Sequence, residues 1–245
     1  MQMDIQMIGT GSAFAKTYYN NNALLHSEGR TLLIDCGITA PIALHEMGIP
    51  MDKIDGVLVS HIHGDHIGGL EELAFQNLYV YNRRRIPLFI AEDLVDPLWN
   101  RSLRGAMEQG EFRRLSDYFD VRTLSAGVPE EILPGLQAEL LLTDHVPNKN
   151  SYSFLFNDTF FYSADMVFSP ELLEHLVRDK GVETIFHDCQ LHEPGMVHAS
   201  LPELLTLPED IQSRIRLMHY GDDRNRFEGK TGLMSFVEQR RVYPL

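Results

Sequence analysis

The chain has 245 residues, 44% of them hydrophobic, enough to bury a sizeable core in one domain spanning 1–245. Its 21 basic residues stand against 35 acidic ones, a net charge of −14, and a surface of that sign repels the phosphates through which long nucleic acids are bound. No apolar run approaches the ~20 residues of a membrane span, Met1-Gln2-Met3-Asp4-Ile5 lacks the features of a secretory signal, and two cysteines make no disulfide framework.

Those exclusions point to a cytoplasmic protein, in a host's cytoplasm if a virus encodes it. In chain order, residues 3–8 alternate as a strand and Gly9-Thr10-Gly11-Ser12 turns. Residues 22–26 and 31–35 are strands joined by Ser27-Glu28-Gly29-Arg30. Residues 38–47 read as a helix closed by Gly48 and Pro50, and 56–60 as a buried strand. Leu70, Leu73, Ala74 and Leu78 give 67–81 helical spacing. Residues 87–91 form a strand, and 92–115 a polar helical insertion or cap. Further strands are expected over 121–124, 136–143, 151–156 and 159–163, with Asn157-Asp158 as a two-residue hairpin turn. Helices over 171–177 and 201–206 alternate with strands over 184–187 and 216–220. Strands interleaved with helices predict an α/β protein of sheets covered by helices on their outer faces.

The chemistry concentrates in Ser60-His61-Ile62-His63-Gly64-Asp65-His66-Ile67-Gly68-Gly69. Three imidazoles and a carboxylate occupy six residues directly after the apolar run Val57-Leu58-Val59. Desolvating them unpaired is costly, and a divalent cation removes that cost, since imidazole and carboxylate are its ordinary ligands. A buried strand ending in a tight glycine turn would aim them at one point. His145, Asp165 and His219 each follow an apolar run, at strand ends, where open sheets place their sites.

Other features carry two readings. Gly9-Thr10-Gly11 is a weak phosphate loop or a plain turn. Arg83-Arg84-Arg85 is a phosphate guide or a solvated helix end. Phe14, Tyr18 and Tyr19 are base-stacking or core aromatics, and Cys36 and Cys189 are buried thiols or neighbours of the metal pocket. No role follows for His26, His45, His175 or His192; His187 is singled out only by its position beside Asp188.

His61-x-His63-x-Asp65-His66 followed by His145, Asp165 and His219 resembles the metallo-β-lactamase superfamily over almost the whole chain, and Leu32-Leu33-Ile34-Asp35-Cys36-Gly37 is similar to its strand before the first helix. The resemblance implies a four-layer αββα sandwich with a small helical insertion. It implies that His61, His63 and His145 hold one metal, that Asp65, His66 and His219 hold a second, and that Asp165 bridges them. Zinc suits these ligands, and manganese or iron also fits.

Gly9-Thr10-Gly11-Ser12, Phe186-His187-Asp188-Cys189 and Val197-His198-Ala199-Ser200 resemble the ribonuclease Z branch. This implies metal-assisted phosphodiester hydrolysis, with His198 fixed by Asp188 as general acid and Asp65 also orienting the attacking water. Gly9 to Phe14, Asn20-Asn21-Asn22-Ala23-Leu24 and His66 to Leu73 are similar to anti-Pycsar phosphodiesterases. That implies a homodimer hydrolysing small anionic 3′,5′-cyclic nucleotides to nucleoside monophosphates, disarming cyclic-nucleotide anti-phage signalling. The alternatives are a transfer-RNA 3′-end endonuclease, a nucleotide-sequestering protein without turnover, and a lactone or thioester hydrolase. The Gly- and basic-rich arm with which bacterial ribonuclease Z grips transfer RNA is missing.

Overall fold

The structure, a computed structural model, describes residues 3–82 and 84–245; Met1, Gln2 and Arg83, named above, lie outside the described residues. Fourteen strands among those residues form two seven-stranded sheets. They are β1 (Met3–Gly9), β2 (Asn22–Ser27), β3 (Arg30–Ile34), β4 (Gly56–Val59), β5 (Pro87–Ala91), β6 (Asp120–Leu124) and β7 (Glu130–Leu133). The rest are β8 (Leu136–Thr143), β9 (Ser151–Phe156), β10 (Phe160–Tyr162), β11 (Thr184–Asp188), β12 (Ile215–Met218), β13 (Ser235–Phe236) and β14 (Val242–Pro244).

The first sheet runs β14-β1-β2-β3-β4-β5-β6 and the second β13-β12-β11-β10-β9-β8-β7. One contiguous apolar cluster takes side chains from both, and helices complete the four-layer αββα sandwich.

The longer helices turn apolar faces inward. α1 (Ala40–Glu46) buries Ala40, Pro41, Ala43 and Leu44, and Pro41 suits its first turn. α2 (Gly64–Ile67) and α3 (Leu70–Phe75) follow β4, and a π-helical turn, Gln76–Val80, extends α3. α4 (Glu92–Leu98), a second π-helical turn (Trp99–Leu103) and α5 (Arg104–Met107) follow β5, and α6 (Leu115–Tyr118) leads into β6. α7 (Pro170–Arg178) buries Leu173, Leu176 and Val177 at helical spacing. Ser200 and Glu203 form a capping box at the start of α8 (Leu201–Leu204), and α9 (Glu209–Gln212) precedes β12.

Besides the unexpected short strands β7 and β13, the structure departs from the expected pattern in three further places. Asp65 and His66 sit on the short helix α2, because Gly64 starts a helical turn directly after the extended His63. The helical run expected over 92–115 stops at Met107; its underside is apolar, with Leu94, Leu98, Trp99, Leu103 and Met107 in the core. The carboxyl-terminal strand β14 crosses back to pair with β1 of the first sheet, through a segment too short and mixed to read as a strand. No helix among the described residues is long and apolar enough to cross a membrane.

Candidate metal centre

β4 is buried at every residue and parallel to both neighbours, so its carboxyl end delivers His61 and the following turn from the first sheet. β8 and β10 are each antiparallel to β9 and therefore run the same way; β12 is parallel to β11, which is parallel to β10. Their carboxyl ends carry His145, Asp165 and His219. Three residues at these ends, Asp35, Ala164 and His219, hold φ between 49° and 58°, a left-handed region costing a non-glycine residue of order 1–3 kcal/mol. The chain bends sharply there and turns the side chains inward.

Two sets of ligand atoms result, and a third grouping brings Asp188 and His198 to Asp165 and His219. In the first, His61 Nε2 lies 2.9 Å from His63 Nδ1, His145 Nε2 lies 3.3 Å from His63 Nδ1, and Asp165 Oδ2 is 3.8 Å from both His61 and His145 Nε2. In the second, His66 Nε2 is 3.2 Å from Asp65 Oδ2 and 3.3 Å from Asp165 Oδ2, and His219 Nε2 is 3.3 and 3.4 Å from the same oxygens. Asp165 Oδ2 belongs to both. Four ligands at tetrahedral angles with bonds of about 2.0–2.1 Å stand roughly 3.3–3.4 Å apart; the second set matches this closely, and the first spreads around it from 2.9 to 3.8 Å.

The buried His66 Nε2 and Asp165 Oδ1 have no hydrogen-bond partner among the described residues, a cost that a cation would remove. The donor set therefore fits a pair of divalent ions. Neither cysteine belongs to either set; both thiols are buried, and burial holds them protonated.

The surroundings fix which nitrogen faces inward. Ser60 Oγ donates to Asp35 Oδ2 at 2.7 Å, so His61 Nδ1 donates to Ser60 Oγ at 3.0 Å. His66 Nδ1 donates to Asp35 Oδ2 at 2.7 Å, and His145 Nδ1 to the Val197 carbonyl at 2.6 Å. Such partners orient metal-binding histidines. Asn22 Nδ2 donates to the Asp65 carbonyl at 3.2 Å, and its Oδ1 accepts from Gly37 N–H at 2.9 Å. A Cβ on Gly37 would collide with the Asp65 carbonyl. Residue types alone did not single out Asp35, Ser60 and Asn22 as supports; the sequence signal available was the adjacency of Asp35 and Asn22 to the motifs already quoted.

Burial lowers His61 and His145, and burial with the charges of His145 and Lys149 brings His63 down to about 4. All three are neutral donors at pH 7, the form that binds metal. At His66 burial opposes the charged ring, but Asp165, Asp65 and Asp35 outweigh it and raise the group well above the usual range. Burial likewise opposes the Asp65 and Asp165 carboxylates; His66 and His219 outweigh it and hold both below the usual range. The second set favours positive charge at its centre.

His198 lies between the two sets, its ring centroid 4.9 Å from His145 and 4.7 Å from His219. Its Nδ1 donates to Asp188 Oδ2 at 2.9 Å and lies 4.0 Å from Asp165 Oδ2. Asp188 is fully buried, with His187 Nδ1 3.1 Å from Oδ1 and Met166 N–H donating to Oδ2 at 3.3 Å. Burial opposes a charged His198; the bond from Asp188 and the charges of Asp165 and Asp188 outweigh it, and the group is raised.

The remaining sequence candidates fall elsewhere. Thr10 donates to Tyr220 Oη at 2.8 Å, which makes Gly9-Thr10-Gly11 a structural turn. Arg84 and Arg85 donate to the Asp52 and Ser116 carbonyls. Tyr18 packs edge-on against Tyr220, and Phe14 is 87% exposed. His192 pairs with Asp223 at 2.7 Å.

Known proteins agree with this architecture. The metallo-β-lactamase fold protein YhfI from Bacillus subtilis aligns over 100% of both chains with a TM-score of 0.78 at 19% identity. Human tRNase Z, short form, aligns over 98% of both with 0.69 at 17% identity. At this identity the likeness establishes the fold. The Anti-Pycsar protein Apyc1 of Paenibacillus harenae is 59% identical over 241 residues, covering 98% of this chain and 99% of its own. That of Bacillus phage vB_BsuM-Goe3 is 45% identical over 252 residues, covering 97% and 96%. The family model described as Anti-Pycsar protein Apyc1 matches residues 3–243, and the chain belongs to that family.

Proposed function

We propose that this chain is a di-metal phosphodiesterase that hydrolyses 3′,5′-cyclic nucleotides to nucleoside monophosphates, disarming cyclic-nucleotide anti-phage signalling. The observation that carries the reading is the Asp188–His198 pair beside two complete ligand sets. Unlike Asp35, which orients the metal ligand His66, Asp188 orients an imidazole that neither ligand set requires. His61, His63 and His145 with Asp165 would hold one ion, and Asp65, His66 and His219 with Asp165 the other, zinc or manganese. When bound, a pair of divalent ions supplies charge stabilisation to a phosphoryl group and acidifies water at neutral pH.

The protein's own groups do the rest. Asp188 occupies His198 Nδ1 and leaves Nε2 as the nitrogen that passes a proton to the departing alkoxide. Asp65, besides holding an ion, orients the attacking water. The −14 charge and the family membership favour a small nucleotide over transfer RNA.

The homodimer belongs to the same reading. Ile42 on α1 and Ile38 just before it are exposed, Ile38 abuts Gly68, and Gly68 shares a surface cleft with Phe75, Tyr79 and Val80, which Glu71, Glu72 and Gln76 also line. Such an exposed apolar run marks an interface, and a second copy of the chain is its proposed occupant.

The test is a phosphodiester panel with metal-loaded protein, read by product chromatography. Conversion of cyclic mononucleotides to nucleoside monophosphates supports the reading; cleavage of precursor transfer RNA alone, or of no phosphodiester, rejects it.

A further inference from the structure

β11 ends in His187-Asp188, and both side chains are fully buried. Successive residues of a strand face opposite ways. Phe186 meets Tyr243 of β14 edge-on at 5.5 Å, which turns it into the space between the sheets. His187 therefore lies on the other face of the second sheet, and it belongs to neither ligand set. We propose that His187 is a positioning residue for hydrolysis: its Nδ1–H holds the Asp188 carboxylate in the orientation from which Asp188 aims His198. This rests on the phosphodiesterase reading.

Three observations carry it. First, His187 Nδ1 stands 2.8 Å from the Asp188 carbonyl oxygen and 3.1 Å from Asp188 Oδ1. Both are acceptors, so Nδ1 carries a hydrogen and shares it between them.

Second, Asp188 Oδ1 has no other donor of comparable geometry among the described residues. Ser163 Oγ lies 3.4 Å away, but its single hydrogen goes to the Ala164 carbonyl at 2.9 Å, and its oxygen accepts from Asp188 N–H at 2.8 Å. Oδ2 takes His198 Nδ1 at 2.9 Å and Met166 N–H at 3.3 Å. The carboxylate is thus pinned at both oxygens, and His187 pins the one that His198 does not use. Without it, Oδ1 is a buried carboxylate oxygen short of a donor. Rotation about Cβ–Cγ relieves that shortage at the expense of the bond to His198.

Third, His187 Nε2 is buried without a hydrogen-bond partner among the described residues. An unpaired buried nitrogen destabilises a fold, and an apolar side chain of similar size avoids it. Packing therefore gives no reason for an imidazole here, whereas the bond from Nδ1 does.

A cyclic nucleotide releases a sugar alkoxide, which needs a proton. Bis(p-nitrophenyl) phosphate releases p-nitrophenolate, which leaves without one. The experiment compares wild type, His187→Leu, His187→Asn, His198→Ala and His187→Leu combined with His198→Ala. The substrates are the 3′,5′-cyclic forms of AMP, GMP, CMP and UMP and bis(p-nitrophenyl) phosphate. Elemental analysis counts the ions, and a crystal structure of His187→Leu locates Asp188.

His187→Leu should keep both ions and lower kcat on cyclic nucleotides about 10- to 100-fold, the usual range for losing a group that orients a working side chain. KM and the cleavage of bis(p-nitrophenyl) phosphate should stay near wild type. His187→Asn, whose amide nitrogen is bonded to Cγ as Nδ1 is, should restore most of the rate. The double variant should be no slower than His198→Ala, because residues acting as one unit do not add. In the crystal, the Asp188 carboxylate should be rotated and its bond to His198 broken.

Equal losses on both kinds of substrate, or single losses that multiply in the double variant, overturn the proposal and spare the phosphodiesterase reading. Should His187→Leu fail to fold, His187→Gln, whose amide lies one carbon farther out, takes its place with the same expected losses. Wild type that cleaves no phosphodiester overturns the functional reading. The crystal structure then decides alone, and an intact bond between Asp188 and His198 removes His187 from the site.

Discussion

Asp35 and His66 meet at 2.7 Å, carboxylate to Nδ1, with both side chains buried. The same Asp35 oxygen accepts from Ser60 Oγ, while its second oxygen accepts from Ser60 N–H at 2.8 Å. Asp35 thus aims His66 directly and His61 through Ser60. Asp35→Asn should leave the fold intact by circular dichroism and weaken metal retention roughly 10- to 100-fold, the usual range for losing such a support. Competition against a chelator measures this, and retention equal to wild type would remove Asp35 from the centre.

Asp165 Oδ2 is the one atom shared by both ligand sets. Asp165→Ala should abolish hydrolysis and release at least one ion per chain. Two ions retained, by elemental analysis of the purified variant, would contradict the bridging role.

His198→Ala should behave oppositely, keeping both ions and slowing turnover by about 10²-fold or more, the scale of a lost proton donor. Undiminished turnover rules out His198 as the acid and favours the lactone or thioester alternative, which needs no such group.

Ile42→Glu combined with Tyr79→Glu places two charges on the exposed apolar run. Sedimentation should move from a dimer to a monomer without loss of helix or strand signal. Wild type sedimenting as a monomer would disprove the dimer outright.

Asp222 accepts from Lys16 N–H at 2.9 Å and Thr17 N–H at 2.7 Å, and those bonds lower its pKa. A depressed carboxylate stabilises above its ordinary value of about 3.9 and loses that contribution as pH falls through its folded value. Protection of the amides of 12–18, taken relative to intrinsic exchange at each pH, should fall below about pH 4, and Asp222→Ala should show the reduced protection already at pH 7. The carboxylate is exposed, so global stability should move little.

The hexapeptide turn was legible because four ionisable groups after a buried strand have no packing explanation. Asn157-Asp158 was legible because both residues take φ near +50°, the demand of a tight hairpin that asparagine and aspartate meet. β13 and β14, two and three residues long, carry no period to detect; partners far along the chain make them strands. The underside of 92–107 was obscured for a related reason. Its apolar positions are spaced across a proline and a π-helical turn, which breaks the 3.6-residue count. Asp35 and Asn22 were visible in familiar stretches, but their task of orienting His66 and the Asp65 turn depends on contacts 31 and 43 residues away.

The first sheet brings His61, His63, Asp65 and His66, and the second brings His145, Asp165 and His219. Neither half of the chain can grip a cation pair by itself, so ion capture must be a late event, after the halves have met. The energy of capture is then delivered as adhesion between them. Stripping the ions should soften that seam before it loosens either sheet, and hydrogen exchange should show the loss first in the turns that follow β4, β10 and β12.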